Sequence, residues 1–327
     1  MSKPILEIKN FSKRFRSHWT FRPIDAVHEV TLDVQRGESF GFLGHNGAGK
    51  TTTIKSIVGL IQRTGGEILI DGSESSSPEN RKKLGYLPEH PYFYDHLTVQ
   101  ETLDFFAALQ EIPRAERADR VAATLKRVGL DDRAKASVRS LSKGLQQRLG
   151  VAQAIVHEPE LLLLDEPFSG LDPIGRHEIR QLVLELKSHG TTIFLSSHIL
   201  ADVEDICDRV SIMSRGELKT VFHLKEAPER FGEAFELTVR AQEREPAALK
   251  PLEEQADTVR IEETVVGFFH VLRFSDYQTA LSAVASCNDA GLYVEKFERS
   301  GLSLEEIFIK ITGSESAPHQ GPTGAGT

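Results

Sequence analysis

Three features of the chain predict an α/β fold built on a parallel sheet, with a smaller α+β domain behind it. Strand-length apolar runs alternate with helix-length segments through the first two thirds of the sequence. Two of those runs, Ser39 to Leu43 and Leu161 to Leu164, lack the polar alternation of a half-exposed strand, as strands buried on both faces do. The charge balance also changes near residue 225. Residues 1–225 carry 30 basic and 30 acidic side chains, whereas residues 226–327 carry 9 and 18, which accounts for the whole net charge of −9. Such a shift marks a domain boundary. The expected organisation is a domain over 1–225, an accessory α+β domain over 226–312 and a disordered tail over 313–327, rich in Gly and Pro.

The elements follow in order. Ile5, Phe11 and the run Val27 to Val34 alternate as strands before Ser39 to Leu43. A Gly-rich turn leads into a helix over about 49–58, and Leu84 to Leu87 reads as a strand. Thr98 with Glu101 forms a capping box that opens a helix to about Leu109. Helices over about 114–128 and 144–157 follow, the first stopped by Gly129, the second by Pro159. These consecutive helices, within about 95–157, read as a helical subdomain inserted into the α/β alternation. Leu161 to Leu164 is a buried strand, followed by a helix (174–188), a strand (191–196) and a short helix (199–205). In the last part, Phe235 to Arg240, Val265 to Phe274 and Leu292 to Phe297 read as strands and Tyr277 to Ala290 as a helix. Ser303 with Glu306 caps a final helix to about Ile311.

Several classes are excluded. The longest stretch without Asp, Glu, Lys or Arg, Ser188 to Ala201, is 14 residues, against the about 20 apolar residues of a membrane-spanning helix. The N-terminal MSKPILEIKN has no apolar core, so no secretory signal is expected. Two cysteines, Cys207 and Cys287, make neither a disulfide framework nor a zinc site. Without a basic excess, nucleic acid is not expected as the main partner.

The chemistry begins at Gly44-His45-Asn46-Gly47-Ala48-Gly49-Lys50-Thr51, which fits G-x-x-x-x-G-K-[ST] between an apolar strand and a helix. Its glycines let backbone N–H groups converge on one centre, and the helix N-terminus adds positive potential. Lys50 is expected to reach the β- and γ-phosphates of a nucleotide, with Gly44, Asn46, Gly47, Ala48, Gly49 and Thr52 around them, and Thr51 to bind Mg²⁺. The strand Leu161 to Leu164 then delivers Asp165 and Glu166 at its end: Asp165 for the Mg²⁺ shell, Glu166 to polarise the attacking water.

Further segments narrow the class. Leu141-Ser142-Lys143-Gly144-Leu145-Gln146-Gln147-Arg148, Ser169-Gly170-Leu171-Asp172-Pro173 and His198 follow one another in the order and spacing of the signature, D-loop and switch histidine of the ATP-binding-cassette (ABC) ATPases, which this chain resembles over about residues 5–225. The resemblance implies ATP and Mg²⁺ as ligands, an antiparallel β subdomain beside the helical one, and a homodimer or heterodimer of ATPase subunits. In that dimer the signature residues Ser142, Lys143 and Gly144 close in trans on the partner's ATP. It implies that Asp172 couples the sites, that His198 contacts the γ-phosphate, and that Glu89, after Gly85-Tyr86-Leu87-Pro88, is a second coupling residue standing where the family has a Gln, its carboxylate binding Mg²⁺ or orienting water. Lys143 and Leu145 depart from the usual L-S-G-G-Q, so altered phosphate contacts are expected. Phe15, Trp19 and Phe21 each offer an aromatic face for adenine, Phe15 at the usual place.

Tyr92, Phe93 and Tyr94 are candidates for the contact with a membrane partner. Ser303-Leu304-Glu305-Glu306-Ile307-Phe308 resembles the ending of ATPase subunits that serve ABC-2-type export permeases. The implied protein is the ATP-hydrolysing subunit of a transporter, an exporter by subclass, with a separately encoded transmembrane permease and a cytoplasmic position on the inner face of the cell membrane. The rival reading is a soluble ABC ATPase acting on a non-membrane complex.

Overall fold

The computed structural model describes residues 3–16 and 22–313. The chain divides into two compact units, one reaching to Leu224 and the other covering Lys225–Ile311. The first unit begins with β1 (Leu6–Arg16), β2 (Pro23–Val34), β3 (Ser39–Gly44), α1 (Lys50–Ile57), β4 (Gly65–Ile70), β5 (Ser73–Glu74), α2 (Pro78–Arg81) and β6 (Leu84–Leu87). It continues with α3 (Val99–Leu109), α4 (Arg114–Arg127), α5 (Lys143–Ile155), β7 (Leu161–Asp165), α6 (Pro173–Ser188), β8 (Thr192–Ser197), α7 (Leu200–Ile206), β9 (Arg209–Ser214) and β10 (Glu217–His223).

The central sheet has the order β10-β9-β3-β8-β7-β6, parallel except for β10. Every residue of β3, β7 and β8 is buried, as the apolar runs require of a sheet covered on both faces. An antiparallel sheet, β2-β1-β4-β5, shares one core with it: Phe11, Val30, Ile68 and Ile70 pack with Phe40, Phe42 and Phe194. Helices α3, α4 and α5 pack on one another as a helical group. Thr98 and Glu101 form the full capping box at its entry, Thr98 N donating to Glu101 Oε2 over 2.8 Å.

Strands β4, β5, β9 and β10 have no counterpart in the sequence reading. β4 opens on two glycines and Glu67 and β10 has Leu218 between Glu217 and Lys219, so both find their faces only against β1 and β9. Trp19, Phe21 and all of the Gly- and Pro-rich tail after Gly313 lie outside the described residues.

The second unit comprises α8 (Ala227–Phe231), β11 (Glu233–Ala241), α9 (Lys250–Glu253), β12 (Thr258–Thr264), β13 (Gly267–Phe274), α10 (Tyr277–Asp289), β14 (Tyr293–Gly301) and α11 (Leu304–Thr312). Its antiparallel sheet has the order β12-β13-β11-β14. Leu237, Val239, Leu272 and Phe274 pack with Ala280, Ala283 and Cys287 of α10. The run Val265 to Phe274 is not one strand: Val265 and Val266 form the tip of the β12–β13 hairpin, and β13 starts at Gly267, whose φ of 125° turns the chain.

Candidate functional site

The site forms at the C-terminal ends of the parallel strands. Between β3 and α1 the chain turns through Gly49, φ 104°, where a Cβ would stand 2.7 Å from the Ala26 carbonyl oxygen. Only glycine meets both demands. Thr53 N is the first amide of α1 to bond back, to Gly49 O over 2.9 Å. The N–H groups of Lys50, Thr51 and Thr52 precede it and so have no intrahelical partner, the arrangement of an anion site.

Lys50 is 5% exposed; its Nζ donates to Gly44 O over 2.5 Å and lies 3.1 Å from Glu166 Oε1. The end of β7 divides two carboxylates between two tasks. Asp165 Oδ1 accepts from Thr51 Oγ1 over 3.1 Å and from Ser196 Oγ over 2.7 Å, while its buried Oδ2 has no hydrogen-bond partner among the described residues. Glu166 then takes φ 49°, a left-handed conformation that costs a non-glycine residue about 1–2 kcal/mol. The turn sends its side chain to Lys50 and His198: Glu166 Oε2 accepts from His198 N over 3.2 Å and lies 2.7 Å from His198 Nδ1.

The electrostatics follow from these contacts. Burial raises Asp165 above the usual carboxylate range despite the hydroxyls of Ser196 and Thr51. Burial also pushes Glu166 upward, but the His198 hydrogen bond and the Lys50 charge outweigh it and hold Glu166 low. The bond to Glu166 raises the His198 imidazole.

These shifts give a pH signature. The lowered Glu166 contributes stability that is present above the ordinary Glu value, about 4.3, and lost as pH falls through its own pKa. The raised His198 contributes stability that is full below about 6.5 and lost as pH rises through its own pKa. The stability advantage of the wild type over His198→Gln should therefore shrink as pH rises from 6 to 9, in urea unfolding of the cassette. An advantage constant over that range contradicts a charged imidazole.

The cleft, about 310 Å³, is lined by Asn46, Gly47, Gly49, Lys50, Thr51, Thr52, Glu89 and Glu166, with His45 and Ala26. Gly44 and Ala48 support it from behind, Gly44 through its carbonyl and Ala48 buried. Glu89 thus stands on the same cleft as Glu166. Phe15 does not line it: the ring is 38% exposed near the end of β1, under the Lys13 ammonium at 4.8 Å. Ser196 and Ala26 escaped the sequence reading. Ser196 had a signal, a hydroxyl at the end of an apolar strand; Ala26 had none.

Ser142, Lys143, Gly144 and Asp172 lie elsewhere, around a second pocket of about 380 Å³ that shares no lining residue with the first. Ser142 caps α5, accepting from Leu145 N over 3.4 Å, and Asp172 caps α6, accepting from Gly175 N over 3.0 Å. Two helix N-termini, each capped by a side chain, therefore face one hollow, with Lys143 on its wall and no carboxylate ion-paired to that lysine among the described residues.

The aromatic stretch divides. Tyr92 and Tyr94 are 89% and 54% exposed, but Phe93 is buried, edge-on to Phe106, and belongs to its own domain's core. Phe105 and Leu109 extend the exposed apolar surface.

A phosphate-cradling turn on a parallel sheet, joined to an antiparallel subdomain and a helical group, defines a nucleotide-binding cassette ATPase. Residues 27–169 match the ABC transporter family. The chain is 39% identical over 311 residues to the ABC transporter ATP-binding protein sll0415 of Synechocystis, covering 94% of this chain and 84% of that one. It is 38% identical over 294 residues to the bacitracin transport ATP-binding protein BcrA of Bacillus licheniformis, covering 88% and 92%. Among solved structures it resembles the dimeric post-hydrolysis state of the cassette MJ0796 bound to ADP and Pi, with a TM-score of 0.61 and 26% identity over 67% of this chain and 98% of that one. The chain belongs to the family of ABC transporter ATP-binding proteins, and its first unit carries an ABC ATPase domain.

Proposed function

We propose that this chain is the ATP-hydrolysing subunit of an exporter, working as a dimer on a separate membrane permease. One observation carries the reading: Lys50, Thr51, Asp165, Glu166, Glu89 and His198 converge at one cleft, while Ser142, Lys143, Gly144 and Asp172 gather at another. A second copy, turned head to tail, brings its signature pocket over the first copy's cleft and completes both sites. MJ0796, a dimer in its solved structure, supports this arrangement.

In each site the amides of residues 49–52 and the Lys50 ammonium bind the phosphates. Thr51, Asp165 and Glu89 would hold Mg²⁺; their oxygens, among them the partnerless Asp165 Oδ2, suit a hard cation. Bound there, Mg²⁺ would neutralise phosphate charge. Glu166, kept ionised by His198 and Lys50, orients water and takes its proton. His198 fixes the Glu166 carboxylate and reaches the γ-phosphate. Lys143 adds a positive charge at the signature of the opposite copy, and Asp172 links the two sites. Phe15, which stands outside the cleft in this structure, is the ring that would stack on adenine.

The exposed Tyr92, Tyr94, Phe105 and Leu109 are the surface for the permease, since aromatic residues concentrate at interface cores. No helix among the described residues is long and apolar enough to cross a membrane, which fits attachment to the inner membrane face through that partner. The export direction rests on the resemblance of Ser303-Leu304-Glu305-Glu306-Ile307-Phe308, at the start of α11, to the ending of export ATPase subunits, and the bacitracin transport protein among the relatives supports a transport role.

The test is affinity purification of the tagged Glu166→Gln chain from its own cells, in mild detergent with ATP, followed by mass spectrometry. A multi-span membrane protein recovered in comparable amount is the expected result. Recovery of soluble partners alone would transfer the protein to a non-membrane complex.

A further inference from the structure

The sheet of the second unit ends on β12, which pairs with β13 on one side and with no strand on the other among the described residues. All seven residues of β12 are exposed. Open edges are normally blunted by charged side chains, lysine above all, by proline, by a bulge or by extreme shortness. The strand Thr258–Thr264 has no lysine, proline or bulge, and its register with β13 is unbroken from Thr258↔Arg273 to Thr264↔Gly267; its charges, Arg260, Glu262 and Glu263, are of both signs, so they oppose some partners and registers and admit others. The hairpin beyond it exposes Val265 completely and Val266 by 53%, at a turn where polar residues are the rule. We propose that this edge is a self-pairing surface, on which β12 of a second copy lies antiparallel about a two-fold axis at Ile261.

Charge selects the occupant and the register. A two-fold axis perpendicular to the sheet keeps the apolar faces of both copies on one side only when it passes through a residue position. Centred on Ile261, Arg260 of each copy stands opposite Glu262 of the other, Val259 opposite Glu263, and Thr258 opposite Thr264. The in-strand pair Arg260–Glu262, 3.0 Å apart, then becomes half of an alternating quartet. Centred one position away, on Arg260 or on Glu262, the pairing sets like charges face to face, which destabilises.

Of the apolar side chains, Ile261 meets its own counterpart at the axis, whereas Val259 stands opposite Glu263. Ile261 and Val259 are 39% and 40% exposed and stand in register with the buried His270 and Leu272. Pairing two edges would cover them and make one eight-stranded sheet from two of four. The Val265–Val266 tip of each copy would run beside the other's Ala256 and Asp257. A single strand pair buries less than a stable interface needs, so the contact is weak alone. It gains from the local concentration set by any other contact between two copies.

The test uses the full chain with cysteine substitutions; native Cys207 and Cys287 are buried and do not compete. Ile261→Cys should form a disulfide-linked dimer on mild oxidation, whereas Thr264→Cys, six positions from its own counterpart in this register, should not. Adding Arg260→Glu to Ile261→Cys should cut the yield severalfold, and adding Glu262→Arg as well should restore it. These side chains are exposed, so each variant keeps the fold. The proposal is overturned if Ile261→Cys links no better than Thr264→Cys with and without ATP, in protein whose cassettes dimerise. It is equally overturned if Ile261→Cys links only to a co-purified permease. The readout is a covalent dimer rather than turnover, so it stands or falls separately from the ATPase roles above.

Discussion

Replacing Glu166 by Gln is expected to lower ATP turnover by about 10²–10⁴-fold, the usual contribution of a positioned general base, while nucleotide still binds. The substitution preserves the volume of the side chain and a hydrogen-bond acceptor for His198, at 2.7 Å in the native chain. It removes the negative charge and the capacity to take a proton. It also removes a buried carboxylate from beside the phosphates, so the ATP-bound form should last longer and the dimer should accumulate in ATP. Steady-state hydrolysis and size-exclusion chromatography with light scattering read both effects. Turnover at the wild-type rate would reject Glu166 as the base. Because Glu166 is what raises His198, the same variant should return the imidazole towards its ordinary value, visible in an NMR titration.

Lys50→Ala should weaken ATP binding by about 10–150-fold, the equivalent of one charged hydrogen-bonding group worth about 1.5–3 kcal/mol. The effect has a second part. Lys50 is one of the two groups that hold Glu166 ionised against its burial. Without it the carboxyl should protonate more readily, so the residual turnover should lose its acidic limb at higher pH than in the wild type. Isothermal titration with ATP and a pH–rate profile separate the two. Unchanged affinity would overturn the assignment of the phosphate loop.

The cassette was legible where one residue type has one physical use. Gly49 must be glycine because its φ is positive and a Cβ would meet the Ala26 carbonyl. The apolar runs at β3 and β7 could only be buried strands, and the carboxylates at the end of β7 could only emerge at the sheet's C-terminal edge. Local hydrogen-bonding codes read equally well: Thr98 with Glu101 and Ser303 with Glu306 each cap the helix they precede.

Partnership between distant segments was not legible. Strand β4 is a strand because β1 supplies its ladder, and β12 because β13 does; the two glycines that open β4 and the polar residues of β12 hide it. The same holds for Phe93, whose two neighbours are exposed while it is buried against Phe106. Ser196 entered the site only because β8 lies beside β7 in register, Asp165 opposite Ser196.

By itself, then, the sequence determined which residues carry charge, hydroxyl or backbone freedom in the phosphate loop, the acidic strand end, the signature and the switch histidine, because those demands act over a few residues. The tertiary structure decided how the demands are met together. It set Asp165 on Thr51 and Ser196, turned Glu166 through a left-handed backbone towards Lys50 and His198, and put the signature in a different hollow from the phosphate loop. Those outcomes depend on which strands are neighbours and in what register, and the free energy that selects neighbours is spread over the whole core rather than written in any one segment.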